Sequence, residues 1–154
     1  MALLAEMVVA FVSGGTTLNR ISFTAGSAIK SNANGSITVR GGALLVSGTA
    51  ERPVVFTAKS DDAACTTANV SCDTNNDATA TTPDRGSWRY VDVSVTTAAS
   101  QVQHAEFRYG TGPVLWIRAS GVSVQDSVFS QSRDHGAKVE NVDASFRNCQ
   151  FTGS

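Results

Sequence analysis

The sequence predicts an all-β solenoid, in which short parallel strands wind into coils of about 22 residues that stack on one another. Three observations lead there. A hexamer pattern recurs as Val102-Gln-His-Ala-Glu-Phe107, Val124-Gln-Asp-Ser-Val-Phe129 and Phe146-Arg-Asn-Cys-Gln-Phe151, with starts 22 residues apart. The register holds between the hexamers, since Val114-Leu-Trp-Ile-Arg118 follows the first start by twelve residues and Gly136-Ala-Lys-Val-Glu140 follows the second by twelve. The composition is rich in Thr, Ser, Ala, Val, Gly and Asn, which favours strands and turns over helices. A period of roughly 20–30 residues without a helical pattern means one coil per repeat, and stacking then buries what a single coil leaves exposed.

A chain of 154 residues has the length of one domain and can bury a sizeable core. Twelve basic and thirteen acidic residues leave a net charge of −1, and no basic face emerges, which argues against nucleic acid as a partner. The apolar run Met1–Val12 is shorter than the roughly twenty residues that cross a bilayer, so no membrane insertion is expected. It has no Lys/Arg n-region, carries Glu6 in its middle, and shows no small-x-small cleavage site. Residues 1–20 therefore read as an N-terminal cap, strand or short helix, over the first apolar layer, ahead of a degenerate export signal.

Next come the short runs Ile21-Ser-Phe23, Ile37-Thr-Val39, Leu44-Leu-Val46 and Val54-Val-Phe56, parted by Gly/Asn/Thr turns. Residues 58–85 are polar, with Lys59-Ser-Asp-Asp62 and Asp73-Thr-Asn-Asn-Asp77, and read as a long excursion from one coil. Strand pattern resumes at Trp88, with Val91, Val93 and Val95 on one face, and regular coils fill residues 86–154. Stacked coils lie about 4.8 Å apart, so residues 22 apart form columns. Val102, Val124 and Phe146 point inward together, as do Phe107, Phe129 and Phe151, and Ala105, Ser127 and Cys149. Ile117 lies over Val139, while Arg118 and Glu140 share an outward column and are expected to pair. Cys65 and Cys72 suit a small disulfide loop in an exported protein and fit no common zinc spacing. Cys149 reads as a buried thiol.

The segment Gly41-Gly-Ala-Leu-Leu-Val-Ser-Gly-Thr-Ala-Glu-Arg-Pro-Val-Val-Phe-Thr57 resembles the Gly-x-Leu-x-x-x-Gly-Thr-…-Pro-Val-x-Phe-Thr stretch of bacterial right-handed parallel β-helix repeat proteins. Gly86-Ser-Trp-Arg-Tyr-Val91 is similar to that family's Gly-x-Trp-x-x-Ile element, and the Val-x-x-x-x-Phe coils are similar to its later rungs. The resemblance spans roughly Ile21 to Phe151 and implies a right-handed parallel β-helix, as a small member or a piece of a larger protein. It also implies a secreted or cell-surface setting. The pectate-lyase-like superfamily includes polysaccharide-degrading enzymes, so a lyase or glycoside hydrolase is the alternative to a binding or structural module.

Four constellations are candidates for chemistry. His104, Asp126 and Asn148 form a polar column, either an acid/base unit or a ladder of turn residues, and the turn ladder is favoured. Asp92, Glu106 and Arg108 are expected to approach one another, yet Glu106 is followed one and two coils on by Val128 and Gln150, so paired carboxylates for glycoside hydrolysis are poorly supported. Trp88, Tyr90 and Trp116 run out of phase with the inward residues and are expected to be partly exposed, as platforms for a sugar or a surface protein. Asp73, Asn75 and Asp77 offer oxygens at alternate positions, like the start of a calcium loop, but lack the following Gly and distant Glu. No other cofactor is expected. Finally, Phe146 and Phe151 near an open stack end predict a homo-oligomer, a dimer above all.

Overall fold

The computed structural model describes residues 9–12, 14–65 and 72–153. Among the described residues the regular structure is entirely β, in three parallel sheets. Sheet A stacks β1 (Val9–Val12), β4 (Ala28–Ser31), β7 (Val54–Ala58), β10 (Ala105–Arg108), β13 (Val128–Ser130) and β16 (Gln150–Thr152). Sheet B stacks β2 (Gly15–Leu18), β5 (Ser36–Gly42), β8 (Tyr90–Thr96), β11 (Leu115–Ile117) and β14 (Ala137–Val139). Sheet C stacks β3 (Ile21–Thr24), β6 (Leu44–Ser47), β9 (Ser100–Gln103), β12 (Val122–Gln125) and β15 (Ala144–Arg147). The chain visits the sheets in rotation, which makes a β-solenoid of about 6 turns. The expected cap region thus contributes two strands to the stack itself; Met1–Val8 of the apolar run lie outside the described residues.

The columns read from the repeat are present. Phe129 pairs in register with Phe107 on one side and Phe151 on the other, and Val124 with Val102 and Phe146. Parallel pairing brings like side chains into contact, and the rings of Phe56, Phe107, Phe129 and Phe151 stack at 4.6, 5.0 and 4.8 Å, within 6° of parallel. Phe23 closes the other end of this column edge-on to Phe56 at 5.2 Å. Ser127 is buried within the small column, where its hydroxyl accepts the Ala105 N–H at 3.1 Å. Cys149, which was expected to be a buried thiol, is only half-buried, because its coil is the last in the stack.

The corners have their own vertical order. His104, Asp126 and Asn148 all adopt left-handed backbone conformations, with φ of 46°, 50° and 50°. Tyr109, Gln131 and Gly153 repeat the device at the other end of the hexamer, with φ of 65°, 53° and 64°. Asp and Asn tolerate this region, whereas Tyr and Gln are held there at a cost of roughly 1–2 kcal/mol each. At Gly48 a different demand applies: a Cβ would sit 2.2 Å from the His104 carbonyl oxygen. The coil crossing there has room for glycine only.

The polar excursion is not wholly solvated. It folds back over the outer face of sheet A, where Ala28, Val55, Ala64 and Cys72 form a small apolar cluster against the Cys65–Cys72 disulfide. Phe56 and its partner Phe107 are consequently 51 residues apart in sequence, against 22 for Phe107 and Phe129.

If ring stacking holds the coils together, Phe129→Ala should lower unfolding free energy by about 3–5 kcal/mol in urea titrations, the usual cost of removing a buried Phe. Phe151→Ala, half-exposed at the stack end, should cost about 1–2 kcal/mol. Equal losses would contradict the column.

Candidate functional site

The outer face of sheet B carries the densest group of chemically capable side chains. Strand alternation sends Val91, Val93, Leu115 and Ile117 into the core and turns Tyr90, Asp92 and Trp116 outward. Tyr90 and Trp116 are both half-buried and meet edge-to-face at 5.9 Å. Arg118 spans Asp92 with two hydrogen bonds, Nε to Oδ1 at 3.1 Å and Nη2 to Oδ2 at 2.5 Å, and lies 4.5 Å from the Trp116 ring centroid. This fork-to-carboxylate bond to Asp92 holds the Arg118 guanidinium pKa above its ordinary value. Lys138 approaches the same ring at 5.2 Å and pairs with Glu140 at 3.6 Å, while Trp116 Nε1 donates to Glu140 Oε2 at 2.8 Å. The result is a rigid aromatic and charged face.

Several expectations about these residues need correction. Arg118 pairs with Asp92 and not with Glu140, because Asp92 is almost wholly buried beneath it and the fork satisfies both carboxylate oxygens. Trp88 is buried, 1% exposed, and its Nε1 donates to the Arg108 carbonyl at 2.7 Å. It precedes β8 and sits at the corner where the excursion rejoins the stack, so strand alternation does not extend to it. Asp92, Glu106 and Arg108 do not converge: Asp92 lies on sheet B, the other two on sheet A. Arg108 contacts Glu106 at 3.5 Å but makes its closer ion pair, 2.8 Å, with Asp61 of the excursion. The polar column is the turn ladder described above, with Asn148 Nδ2 donating to Asp126 Oδ1 at 3.0 Å.

The excursion holds the other concentration of charge. Lys30, on the outer face of β4, is fully buried beneath it; its Nζ donates to the Cys72 carbonyl and lies 3.6 Å from Asp62 Oδ1. Desolvation lowers the Lys30 pKa, opposed by Asp62 and Asp61. Asp73, Asn75 and Asp77 do come together, in a tight turn whose Asp73 carboxylate accepts the Ala78 and Asp77 N–H groups at 2.9 and 3.1 Å. Those bonds, the one from Ala78 foremost, lower the Asp73 pKa. Asp62 was missed from sequence; it brings an oxygen within 4.8 Å of those of Asp73 and Asp77. The buried Asn75 Oδ1 and Asp77 Oδ1 accept no hydrogen bond among the described residues.

On sheet C, Gln101, Val102, Gln103, Ser123 and Gln125 line a groove of about 190 Å³. This is below the roughly 300–1,000 Å³ of small-molecule pockets. Comparison of the chain with protein-family models, with curated proteins and with solved structures finds no match.

Two outcomes follow from these contacts. Arg118→Ala strands the buried Asp92 carboxylate and should cost about 2–3 kcal/mol in chemical denaturation. Adding Asp92→Thr, which extends the Thr17–Thr38 column of the same face, should restore most of it. For Asp73 the folded pKa lies below the unfolded one, so its stabilisation is complete above the ordinary aspartate value, about 3.9, and is lost as pH falls through the folded value. Asp73→Asn should therefore flatten the acid limb of a melting-temperature profile; an unchanged limb would contradict the assignment.

Proposed function

We propose that the chain is an extracellular β-helical module that binds carbohydrate on the outer face of sheet B. The observation that carries this reading is the pairing of Tyr90 and Trp116 on a rigid sheet, bordered by Lys138, Glu140 and by Arg118, which Asp92 anchors from below. The exposed parts of the two rings, which Arg118, Lys138 and Arg89 partly cover, offer apolar surface to sugar C–H groups, and the charged side chains beside them bond hydroxyls in defined directions. The disulfide Cys65–Cys72 supports a secreted or cell-surface location, where such bonds persist. The resemblance to bacterial right-handed parallel β-helix proteins supports the same setting. Self-association belongs to this reading too, since repeated copies raise the avidity of a shallow face.

The pectate-lyase-like alternative requires clustered carboxylates, and Asp92 and Glu106 sit on different sheets. A glycan panel separates the readings. Retention of a polysaccharide without unsaturated or reducing-end products, weakened about 30-fold or more by Trp116→Ala, is the expected result. Released products would favour the enzyme; no retention of any glycan would leave a spacer.

We further propose calcium as a ligand of the excursion, held by Asp62, Asp73, Asn75 and Asp77. The supporting observation is the pair of buried oxygens on Asn75 and Asp77 that accept no hydrogen bond. Millimolar calcium should raise the melting temperature of the native protein and not of Asp77→Asn. Identical melting with calcium and with a chelator would remove the site.

A further inference from the structure

Lys30 is a primary amine with no exposed surface. It stands on β4 in register with Thr57 of β7, and its side chain runs outward beneath the excursion. Its Nζ donates to the Cys72 carbonyl and lies 3.6 Å from Asp62 Oδ1. Both Asp62 carboxylate oxygens are buried, and neither accepts a hydrogen bond among the described residues. The neighbouring Asp61 differs: its carboxylate accepts the Thr57 hydroxyl at 2.6 Å and pairs with Arg108 Nε at 2.8 Å. Asp61 is a satisfied anion, and Asp62 is not. The backbone holds the two groups in place. The Lys59 N–H donates to the Ser31 carbonyl at 2.7 Å and the Asp61 N–H to the Ala58 carbonyl at 3.1 Å, so the start of the excursion is fixed to sheet A.

We propose that Lys30 and Asp62 condense into an intramolecular amide that staples the excursion to β4. Away from water, an ammonium and a carboxylate in contact lose the solvation that keeps them charged. A proton then passes from Nζ to the carboxyl group and leaves a neutral amine against a neutral acid. The Nζ lone pair adds to Asp62 Cγ, the C–O bond to the protonated oxygen breaks, and one water departs. Counted from the ion pair, the ammonium gives up two protons, the carboxylate gives up one oxygen, and an N–C bond replaces a C–O bond. Nothing is oxidised or reduced, and no co-reactant is needed. Asp73 and Asp77 each bring an oxygen within 4.8 Å of one of Asp62's, within reach to carry the second proton through one water. Holding amine and acid together on fixed elements supplies the high effective concentration that the step requires. Unlike the Cys65–Cys72 bond, this staple survives reduction. It leaves sheet B untouched, and the amide keeps one Asp62 oxygen as a carbonyl, a ligand that calcium also accepts.

The test is the intact mass of the 154-residue protein, stored folded with a chelator and then denatured and reduced. It should fall short of the sequence mass by one water. Trypsin should leave the chain uncut after Lys30, and tandem mass spectrometry should find the fragment that carries Lys30 joined to the one that carries Asp62. Lys30→Arg, which keeps the charge but lacks the amine, and Asp62→Ala should both show their full sequence masses. Should either variant fail to fold, the joined fragments of the native chain decide alone. The full sequence mass in the folded native protein would overturn the proposal. So would a lost water that persists in Lys30→Arg, since that marks a succinimide at an aspartate. With the chelator present throughout, neither failure bears on the calcium site or on carbohydrate binding.

Discussion

Vertical register is the constraint on which the molecule depends. Most of the short strands send only one or two apolar side chains inward, far too few to hold a coil on their own. What stabilises the chain is that parallel pairing places identical positions of successive coils in van der Waals contact. The Phe56–Phe107–Phe129–Phe151 column shows this most plainly, with near-parallel rings spaced like the strands that carry them. A slip of one residue in any strand would turn its inward column to solvent. The left-handed corners at His104, Asp126 and Asn148, and at Tyr109, Gln131 and Gly153, fix where each strand starts and stops and so protect the register.

The same regularity makes the departures informative. The excursion interrupts a coil without disturbing its stacking, because its two ends return to neighbouring points on the solenoid wall. It then covers the outer face of sheet A, burying Lys30 and Asp61 as well as apolar groups. Burial of those charges is tolerable because each has a partner: Lys30 has Asp62 and the Cys72 carbonyl, and Asp61 has Arg108 and the Thr57 hydroxyl at 2.6 Å. The aromatic and charged side chains of sheet B lie on a different outer face from the one that the excursion covers.

Much of this was legible in the sequence, and the limits have physical causes. The C-terminal coils could be read because the hexamers repeat without insertion, so columns follow from adding 22. The disulfide followed from spacing and from the polar character of the loop. Trp88 was misplaced because alternation was extended through a corner, where it has no force. Lys30 gave no sign of burial, since what covers it comes from residues about 30–45 positions later and not from its own coil. Asp62 gives no sign of joining the acidic cluster for the same reason: it lies eleven positions before Asp73, with the disulfide loop between them. The Asp92–Arg118 pair was readable in principle. Asp92 falls in register with Trp116, which puts Arg118 two residues along on the same outward face. The left-handed positions of Tyr109 and Gln131 left no such trace, because Tyr, Gln and Gly share no side-chain property and only Gly153 marks the conformation.

The most direct measurement of the central claim is a nuclear Overhauser spectrum of protein labelled on its phenylalanine rings. Stacked coils require cross-peaks between Phe107 and Phe129 and between Phe129 and Phe151, since these ring centroids lie 5.0 and 4.8 Å apart. No cross-peak should join Phe107 directly to Phe151, two coils away. Absence of both near-neighbour cross-peaks in the folded protein would contradict the stacked register.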